Sequence, residues 1–153
     1  MNEQQSLEFA KEYLEDLLTF FGVNIMVDGS VNDGIIQLDV PAIEESSILI
    51  GRSAETLQSI QSTVSAALRN KNAEIIRVNV DIAGYKKQRA EKIAEQARGW
   101  IDEVRRTGDS HIANLNAADR RIVHQVATEY ADIRTFSEGE GRDRRIVIAQ
   151  ASS

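Results

Sequence analysis

The chain is bounded first by what it lacks. Its 153 residues include no cysteine and a single proline. Without cysteine it has no disulfide framework, no thiolate metal site and no cysteine nucleophile. No apolar stretch approaches the roughly 20 residues that are needed to cross a bilayer, and no signal-peptide pattern follows Met1. We therefore expect a cytoplasmic protein without a membrane span.

Acidic and basic residues are unevenly distributed along the chain. The net charge of −6, taken as a whole, argues against a nucleic-acid ligand. Residues 1–50 hold one base and ten acids, a net charge of −9, whereas residues 51–153 hold seventeen bases and fourteen acids, a net charge of +3. Solvated faces are the ordinary explanation of such asymmetry. The distribution nevertheless allows a basic surface in the later part of the chain.

Hydrophobic periodicity predicts helices and strands in the first half of the chain. Apolar residues recur at helical spacing over 7–21. Two alternating runs, 23–27 and 36–40, flank the turn-forming residues 29–34 and predict a β-hairpin. Three further elements are predicted here: a short helix at 42–50, a helix at 57–68 and a strand at 76–82.

The second half begins with the longest helical pattern, which runs from Gly84 to about Thr107. A shorter helix is predicted at 117–130, after Asn116, which is a good N-cap residue. The predicted apolar stripes are Ala90, Ile93, Ala97, Trp100, Ile101 and Val104 in the long helix, and Ile122, Val123, Val126 and Ala127 in the short one. An extended run at 133–138, a glycine-rich turn at 139–143 and a strand at 145–149 complete an α+β pattern.

The loop Gly51-Arg52-Ser53-Ala54 lies between two predicted helices. Such a loop can present backbone N–H groups to a phosphate at a helix N-terminus, with Arg52 supplying positive charge. An ordinary helix–helix turn is the alternative explanation of these four residues. Ala54 fits the loop if its position is already helical, with a negative φ.

Arg120 and His124 lie four residues apart in the predicted short helix, so that both side chains occupy one face. Arg121 lies beside them. A solvated polar face would explain the pair equally well. Alternatively, an arginine can pair with phosphate or stack on a base, and a histidine can stack or donate a hydrogen bond.

The motifs together are similar to a known family. The predicted order of elements in the first half is the type II KH topology, and ILIGRSAETLQ at 48–58 resembles the KH core, whose loop clamps a nucleic-acid backbone. Arg120-xxx-His124, followed by TFSEGEG at 135–141, resembles the small Arg-xxx-His domain. The segment DIAGYKKQR at 81–89 resembles the junction between the two. Over about residues 5–150 the chain thus resembles the Jag/KhpB family of bacterial SpoIIIJ-associated RNA-binding proteins.

The resemblance implies a type II KH domain at 1–83, a connecting helix at 84–108 and an Arg-xxx-His domain at 109–153, in a short form without the N-terminal Jag domain. It implies binding of single-stranded RNA, or of single-stranded DNA, without catalysis or a cofactor. An RNA chaperone or post-transcriptional regulator linked to cell-envelope growth is expected. The expected contact residues are Gly51, Arg52, Ser53, Lys86, Lys87, Arg89, Arg120, Arg121, His124, Ser137, Arg144 and Arg145.

Two other classes of function remain open at this stage. A protein-interaction module would use the acidic hairpin region as a contact surface, either for a small KH-domain partner or for self-association. An enzyme is poorly supported, because the sequence has neither a P-loop nor a nucleophile elbow and His111 and His124 are its only histidines. A nuclease that acts through a metal ion and carboxylates stays possible from the residues alone.

Overall fold

The structure, a computed structural model, describes residues 1–151. The chain forms two compact units, one comprising Met1–Lys86 and one that begins at Lys87. Both units combine helices with a three-stranded sheet, which confirms the α+β class. The last two residues of the segment predicted at 109–153 lie outside the described part. Within that part, no helix combines the length and the apolar character needed to cross a membrane.

The first unit follows the predicted order of helix, strand, strand, helix, helix and strand. Its strands lie in the order β1-β2-β3, with β1 and β2 antiparallel and β2 and β3 parallel. The two helices between β2 and β3 form the crossover that a parallel pair requires. The elements are α1 (Glu3–Thr19), β1 (Asp28–Asn32), β2 (Ile35–Val40), α2 (Ser46–Ile50), α3 (Glu55–Asn70) and β3 (Val78–Ile82).

Amphipathic helices pack on the first sheet as their periodicity predicts. Asn2 caps α1, since its side chain accepts a hydrogen bond from the Gln5 backbone N–H at 2.8 Å and the Gln5 side chain accepts one from the Asn2 N–H. Every third or fourth residue of α1 and α3 is then buried against the strands. The buried apolar residues of these helices are Ala10, Leu14 and Leu18 in α1, and Leu57, Ile60, Val64 and Leu68 in α3.

The hairpin prediction placed the first strand too early. Strand β1 consists of residues 28–32, most of which were predicted as the turn, and the turn is the pair Asp33-Gly34. Both turn residues have positive φ, 52° and 73°, which a two-residue hairpin turn of the favoured hand requires. Val27, predicted to lie in a strand, instead donates its backbone N–H to the Glu15 carboxylate at 2.8 Å. Turn chemistry therefore determined the register more strongly than hydrophobic alternation did.

Strand β3 also begins later than predicted. It starts at Val78 rather than at Ile76, which remains 38% exposed. The neighbouring Ile75 is buried in its place. The alternation therefore breaks just before the strand, where the chain leaves the turn after α3.

Ala54 contradicts the prediction of a negative φ. Its φ is +59°, and the φ of the preceding Ser53 is +53°, so two consecutive residues other than glycine are left-handed. This conformation costs an L-residue roughly 1–2 kcal/mol. The pair connects α2 to α3 after Gly51, whose φ is +76°. The loop thus keeps a backbone suited to glycine although alanine occupies its last position.

The second unit packs two helices on one face of an antiparallel sheet with the strand order β4-β6-β5. Strand β4 is a three-residue element that periodicity did not predict. Its elements are α4 (Tyr85–Thr107), β4 (His111–Ala113), α5 (Ala117–Ala127), β5 (Ile133–Glu138) and β6 (Arg145–Gln150); the first two residues of α4 belong to the first unit.

The core of the second unit lies between these helices and the sheet. Most of the predicted stripe is buried, but Ala90, Trp100 and Ile122 lie at its edges and are only half-buried. Helix α5 ends at Ala127, three residues earlier than predicted. The main buried side chains are Ile93, Ala97, Ile101, Val104, Val123, Val126, Ile146 and Ile148.

The left-handed conformation of Ala54 predicts an unusual response to glycine. Ala54→Gly should raise the free energy of unfolding of the first unit by about 0.5–1 kcal/mol, because relief of the left-handed strain exceeds the added entropy of the unfolded chain. Ala67→Gly, inside α3, should lower it by about 1 kcal/mol. Urea unfolding monitored by circular dichroism measures both. A loss at Ala54→Gly as large as that at Ala67→Gly would contradict the strained loop.

Candidate nucleic-acid interface

Helix α5 carries the Arg-xxx-His pair on its exposed side. The helix begins after Asn116, whose side chain accepts a hydrogen bond from the Asp119 N–H at 2.9 Å. Val123 and Val126 are buried against the sheet, whereas Arg120 and His124 are half-buried at the edge of that contact. The sequence prediction of one shared face for Arg120 and His124 agrees with this arrangement.

His124 connects α5 to strand β5 through both of its ring nitrogens. Nδ1 lies 2.5 Å from Thr135 Oγ1, and Nε2 lies 3.4 Å from Ser137 Oγ. Burial lowers the pKa of His124 from its ordinary value of 6.5, and the positive charge of Arg120 lowers it further. The imidazole is therefore neutral at pH 7 and forms hydrogen bonds to two hydroxyl groups.

Arg120 is held at the same face by backbone carbonyl groups. Its Nη1 donates to the carbonyl oxygen of Leu115 at 2.5 Å and lies 3.5 Å from that of Arg144. The Arg144 guanidinium is exposed and donates to the Gly139 carbonyl at 2.9 Å. Arg120 has no carboxylate partner among residues 1–151. Its charge is thus positioned without being neutralised, as a phosphate-binding arginine requires.

Of the predicted residues in the second unit, four are brought together and one is not. Arg120, His124, Ser137 and Arg144 converge on one face, and Arg121 is exposed on the same helix. Arg145 instead pairs with Glu138, Nε to Oε1 at 2.7 Å, on the opposite side of the sheet, since the adjacent Ile146 is buried under the helices. Thr135, which the sequence analysis missed, belongs to the face; its two-residue spacing from Ser137 was the available signal.

Arg89 forms an ion pair with a buried carboxylate. Its Nη2 lies 2.9 Å from Asp119 Oδ2, and the side chains of Arg89 and Asp119 are 38% and 5% exposed. The pair connects the beginning of α4 to the first turn of α5, where negative charge is also favoured by the helix dipole. Arg89 therefore positions the helix that carries Arg120. Sequence reasoning missed Asp119, although its place three residues after the N-cap Asn116 was visible.

Lys86 is engaged inside the first unit. Its Nζ donates to Gln61 Oε1 at 2.5 Å and to Asn79 Oδ1 at 2.6 Å. Burial lowers the pKa of Lys86, and the nearby Asp81 carboxylate opposes that shift. The neighbouring Lys87 is exposed and begins the second unit. The predicted basic track of Lys86, Lys87 and Arg89 thus contains one exposed lysine and two side chains with internal partners.

The loop at Gly51 needs glycine for steric reasons. A Cβ atom added to Gly51 would overlap severely with Thr56 Oγ1, and the φ of +76° is also unfavourable for any other residue. Arg52 and Ser53 are exposed at the tip of the loop. A side chain at Gly51 would therefore push the loop away from α3. This tight turn is what presents Arg52 and Ser53 to solvent.

The ion pair of Asp119 generates a stability prediction. Asp119→Asn should lower the free energy of unfolding of the second unit by about 1–2 kcal/mol, because a charge-assisted hydrogen bond becomes a neutral one at a helix N-terminus. Asp132→Asn is the matched control. It removes an exposed pair with Arg105, also 2.9 Å long, and should change stability by less than about 0.5 kcal/mol. Equal effects in urea unfolding would contradict the positioning role of Asp119.

Comparison with known proteins gives results that match this geometry. Residues 88–150 match the family of Arg-xxx-His domains, which are nucleic-acid-binding domains named for that spacing. The chain is similar to proteins named RNA-binding protein KhpB: 31% identical over 144 residues in Clostridium symbiosum (92% of this chain, 64% of the relative), and 30% identical over 109 residues in Bacillus subtilis strain 168 (69% and 52%). The relative from Streptococcus pneumoniae strain R6 is 23% identical over 137 residues, which are 89% of this chain and 42% of that protein.

The chain spans about half the length of these relatives, between 42% and 64%. The matched region 88–150 contains α5 with Arg120 and His124 as well as the whole second sheet. The second unit is thus the Arg-xxx-His domain that the sequence predicted, in a chain homologous to the bacterial RNA-binding proteins named KhpB.

Proposed function

We propose that this protein binds single-stranded RNA, or single-stranded DNA, through the face formed by Arg120, His124, Ser137 and Arg144. The observation that carries the proposal is the convergence of these four side chains within a domain of the nucleic-acid-binding class. The KhpB relatives, which are named RNA-binding proteins, make RNA the first candidate. The binding involves no catalysis.

A phosphate is the group that this face fits best. Arg120 offers guanidinium N–H groups in a fixed orientation, and Arg144 adds an exposed guanidinium beside it. His124 contributes hydrogen bonding rather than charge at neutral pH, because its pKa is lowered. Contacts of this kind hold the backbone and carry little base specificity. For three phosphates we expect a slope of about −2 in a plot of log affinity against log salt concentration.

The first unit supplies a second contact in this proposal. The order of its elements and its parallel β2–β3 pair support a type II KH domain at 1–83, joined by the helix at 84–108 to the domain at 109–153. Gly51 and the left-handed Ser53 and Ala54 support a loop that still clamps a backbone. Arg52, Ser53 and Lys87 would extend the contact. Two modest sites on one chain bind more tightly than either alone because the second acts at high effective concentration.

The cellular role follows from the family resemblance. An RNA chaperone or post-transcriptional regulator of the bacterial cytoplasm, linked to cell-envelope growth, fits a chain that holds RNA in two places. A Jag/KhpB-type protein would also associate with a small KH-domain partner or with itself. Within residues 1–151, no three histidines or carboxylates converge to hold a metal ion, so the structure offers no support for a metal-dependent nuclease.

Removal of the Arg-xxx-His charges tests the proposal. Arg120→Gln with His124→Gln should weaken the binding of a short fluorescent single-stranded RNA by roughly tenfold or more, because a charge-assisted contact to phosphate is lost. Glutamine is preferred to alanine because it keeps a donor near the Leu115 carbonyl. Fluorescence anisotropy at low and at physiological salt measures the change.

The control for this titration keeps the same change of net charge. Arg98→Gln removes one exposed positive charge from α4 and should leave RNA affinity nearly unchanged. Equal weakening by both variants would mean that only overall charge matters. If the folded double variant binds RNA as the wild type does, the role of the Arg-xxx-His face is wrong.

The lowered pKa of His124 predicts a pH dependence of the affinity. A bound phosphate offsets the positive charge of Arg120 and favours the imidazolium form, so binding should raise the pKa of His124 and take up a proton. Affinity should therefore increase as the pH falls from 7.5 through about 6.5, by less than tenfold per pH unit for one proton. His124→Gln should reduce this slope while His111 remains in both proteins. The same slope in both would exclude His124 from the phosphate contact.

A protein-interaction module is the second candidate, favoured by one patch on the first unit. Phe20 and Met26, just after α1, are 87% and 78% exposed, and Phe21 is 44% exposed. The adjoining groove, about 350 Å³ in volume, is lined by Glu15 and Asp16 among others. Acidic charge next to exposed apolar side chains suits a basic protein segment better than RNA. Absence of RNA binding by the wild type at low salt would favour this alternative.

A further inference from the structure

The outer face of the second sheet, opposite the helices, carries an exposed apolar row. Phe136 of β5, Val147 of β6 and Ile112 of β4 are direct cross-strand neighbours. Phe136 is 39% exposed and Ile112 is 52% exposed, whereas Val147 between them is 6% exposed. Since α4 and α5 bury Ile146 and Ile148 on the other side, this row lies outside the core of the second unit.

The row is paired with positive charge. The Arg134 guanidinium carbon lies 5.5 Å from the centre of the Phe136 ring, a cation–π distance. Arg134 forms no ion pair with a described carboxylate, whereas Arg145 on the same face is neutralised by Glu138. An exposed aromatic ring next to an arginine without an acid partner is the surface on which nucleobases of single strands stack.

The size of the row distinguishes between possible ligands. Two partly exposed side chains offer on the order of 200 Å² of apolar surface. A stable protein interface needs about 800 Å² per partner. One nucleobase covers a single aromatic ring, so the row matches a base far better than it matches a folded protein.

Strand β5 places this row directly behind the proposed phosphate face. Thr135 and Ser137 point to His124 on the helix side, and Arg134 and Phe136, at the alternate positions, point to the outer side. Strand β5 is also an edge strand, because β6 is its only neighbour among the described strands. A single strand that leaves Arg120 can therefore cross this open edge and reach Phe136.

We infer that the outer face of the second sheet is a base-stacking site, in which Phe136 and Arg134 hold a nucleobase of the same strand whose backbone contacts Arg120 and His124. This inference rests on the proposed function and adds a subsite to it. The backbone contact supplies electrostatic affinity and the stacked base supplies an apolar contribution that is largely insensitive to salt. Any base can occupy the site, since every base has a face that stacks.

The test separates the ring from the phosphates. In the full chain, Phe136→Leu keeps an apolar side chain and removes the aromatic face, and it should weaken binding of a short single-stranded RNA by roughly tenfold. Phe136→Tyr should bind as the wild type does. Phe20→Leu, the same change at an exposed phenylalanine of the first unit, is the matched control and should have no effect. Thermal melting of each variant confirms that it is folded.

An abasic strand of equal length and charge is the second probe. The wild type and Phe136→Leu should bind it equally, because it has phosphates but no base to stack. If Phe136→Leu binds the base-bearing RNA as the wild type does while Arg120→Gln with His124→Gln weakens it, the stacking site is wrong and the phosphate face stands. If Phe136→Leu weakens both probes equally, the ring supports the fold rather than a base, and stacking is again wrong. Absence of wild-type binding to either probe would overturn the proposed function and this inference together.

Discussion

The second unit depends on one constraint, namely that both of its helices pack on the same face of a three-stranded sheet. Burial of Val123, Ile146 and Ile148 fixes α5 against that face, and apolar burial is the dominant favourable term in folding. Because side chains alternate along β5, the same packing directs Thr135 and Ser137 to His124 and leaves Phe136 outside. One strand thereby serves two surfaces of different chemistry, and neither surface can shift without disturbing the core.

Internal partners determine which positive charges remain available to a ligand. Lys86 donates to two amide side chains, and Arg89 and Arg145 pair with carboxylates. Arg120 is oriented by carbonyl groups and keeps its full charge. In a chain with a net charge of −6, affinity for a polyanion cannot come from the overall field. It must come from a few oriented cations, which makes the orientation of Arg120 more important than the number of basic residues.

The elements of the fold were largely predictable from periodicity, whereas their exact limits depended on local backbone chemistry. The buried stripe of α4 and the shared face of Arg120 and His124 follow from helical spacing. The position of β1 followed from the positive φ values of Asp33 and Gly34, which periodicity does not register. Strand β4, only three residues long, is too short to show an alternating pattern. The pairing of Arg89 with Asp119 joins residues 30 positions apart, and only the folded chain brings them together.

The loop at Gly51 shows how a geometry can persist when its usual residue is absent. Ala54 retains a left-handed backbone, φ +59°, although alanine is strained there by about 1–2 kcal/mol. That strain is a large fraction of a typical domain stability of about 5–15 kcal/mol. It is sustained because Leu49 and Leu57, both fully buried, anchor the helices on either side of the loop. Two well-packed helices thus dictate the path of the chain between them, and the residue at position 54 adapts to that path. Backbone strain held in this way is concentrated at functional sites, which is a physical reason to regard this loop as a ligand contact rather than a simple turn.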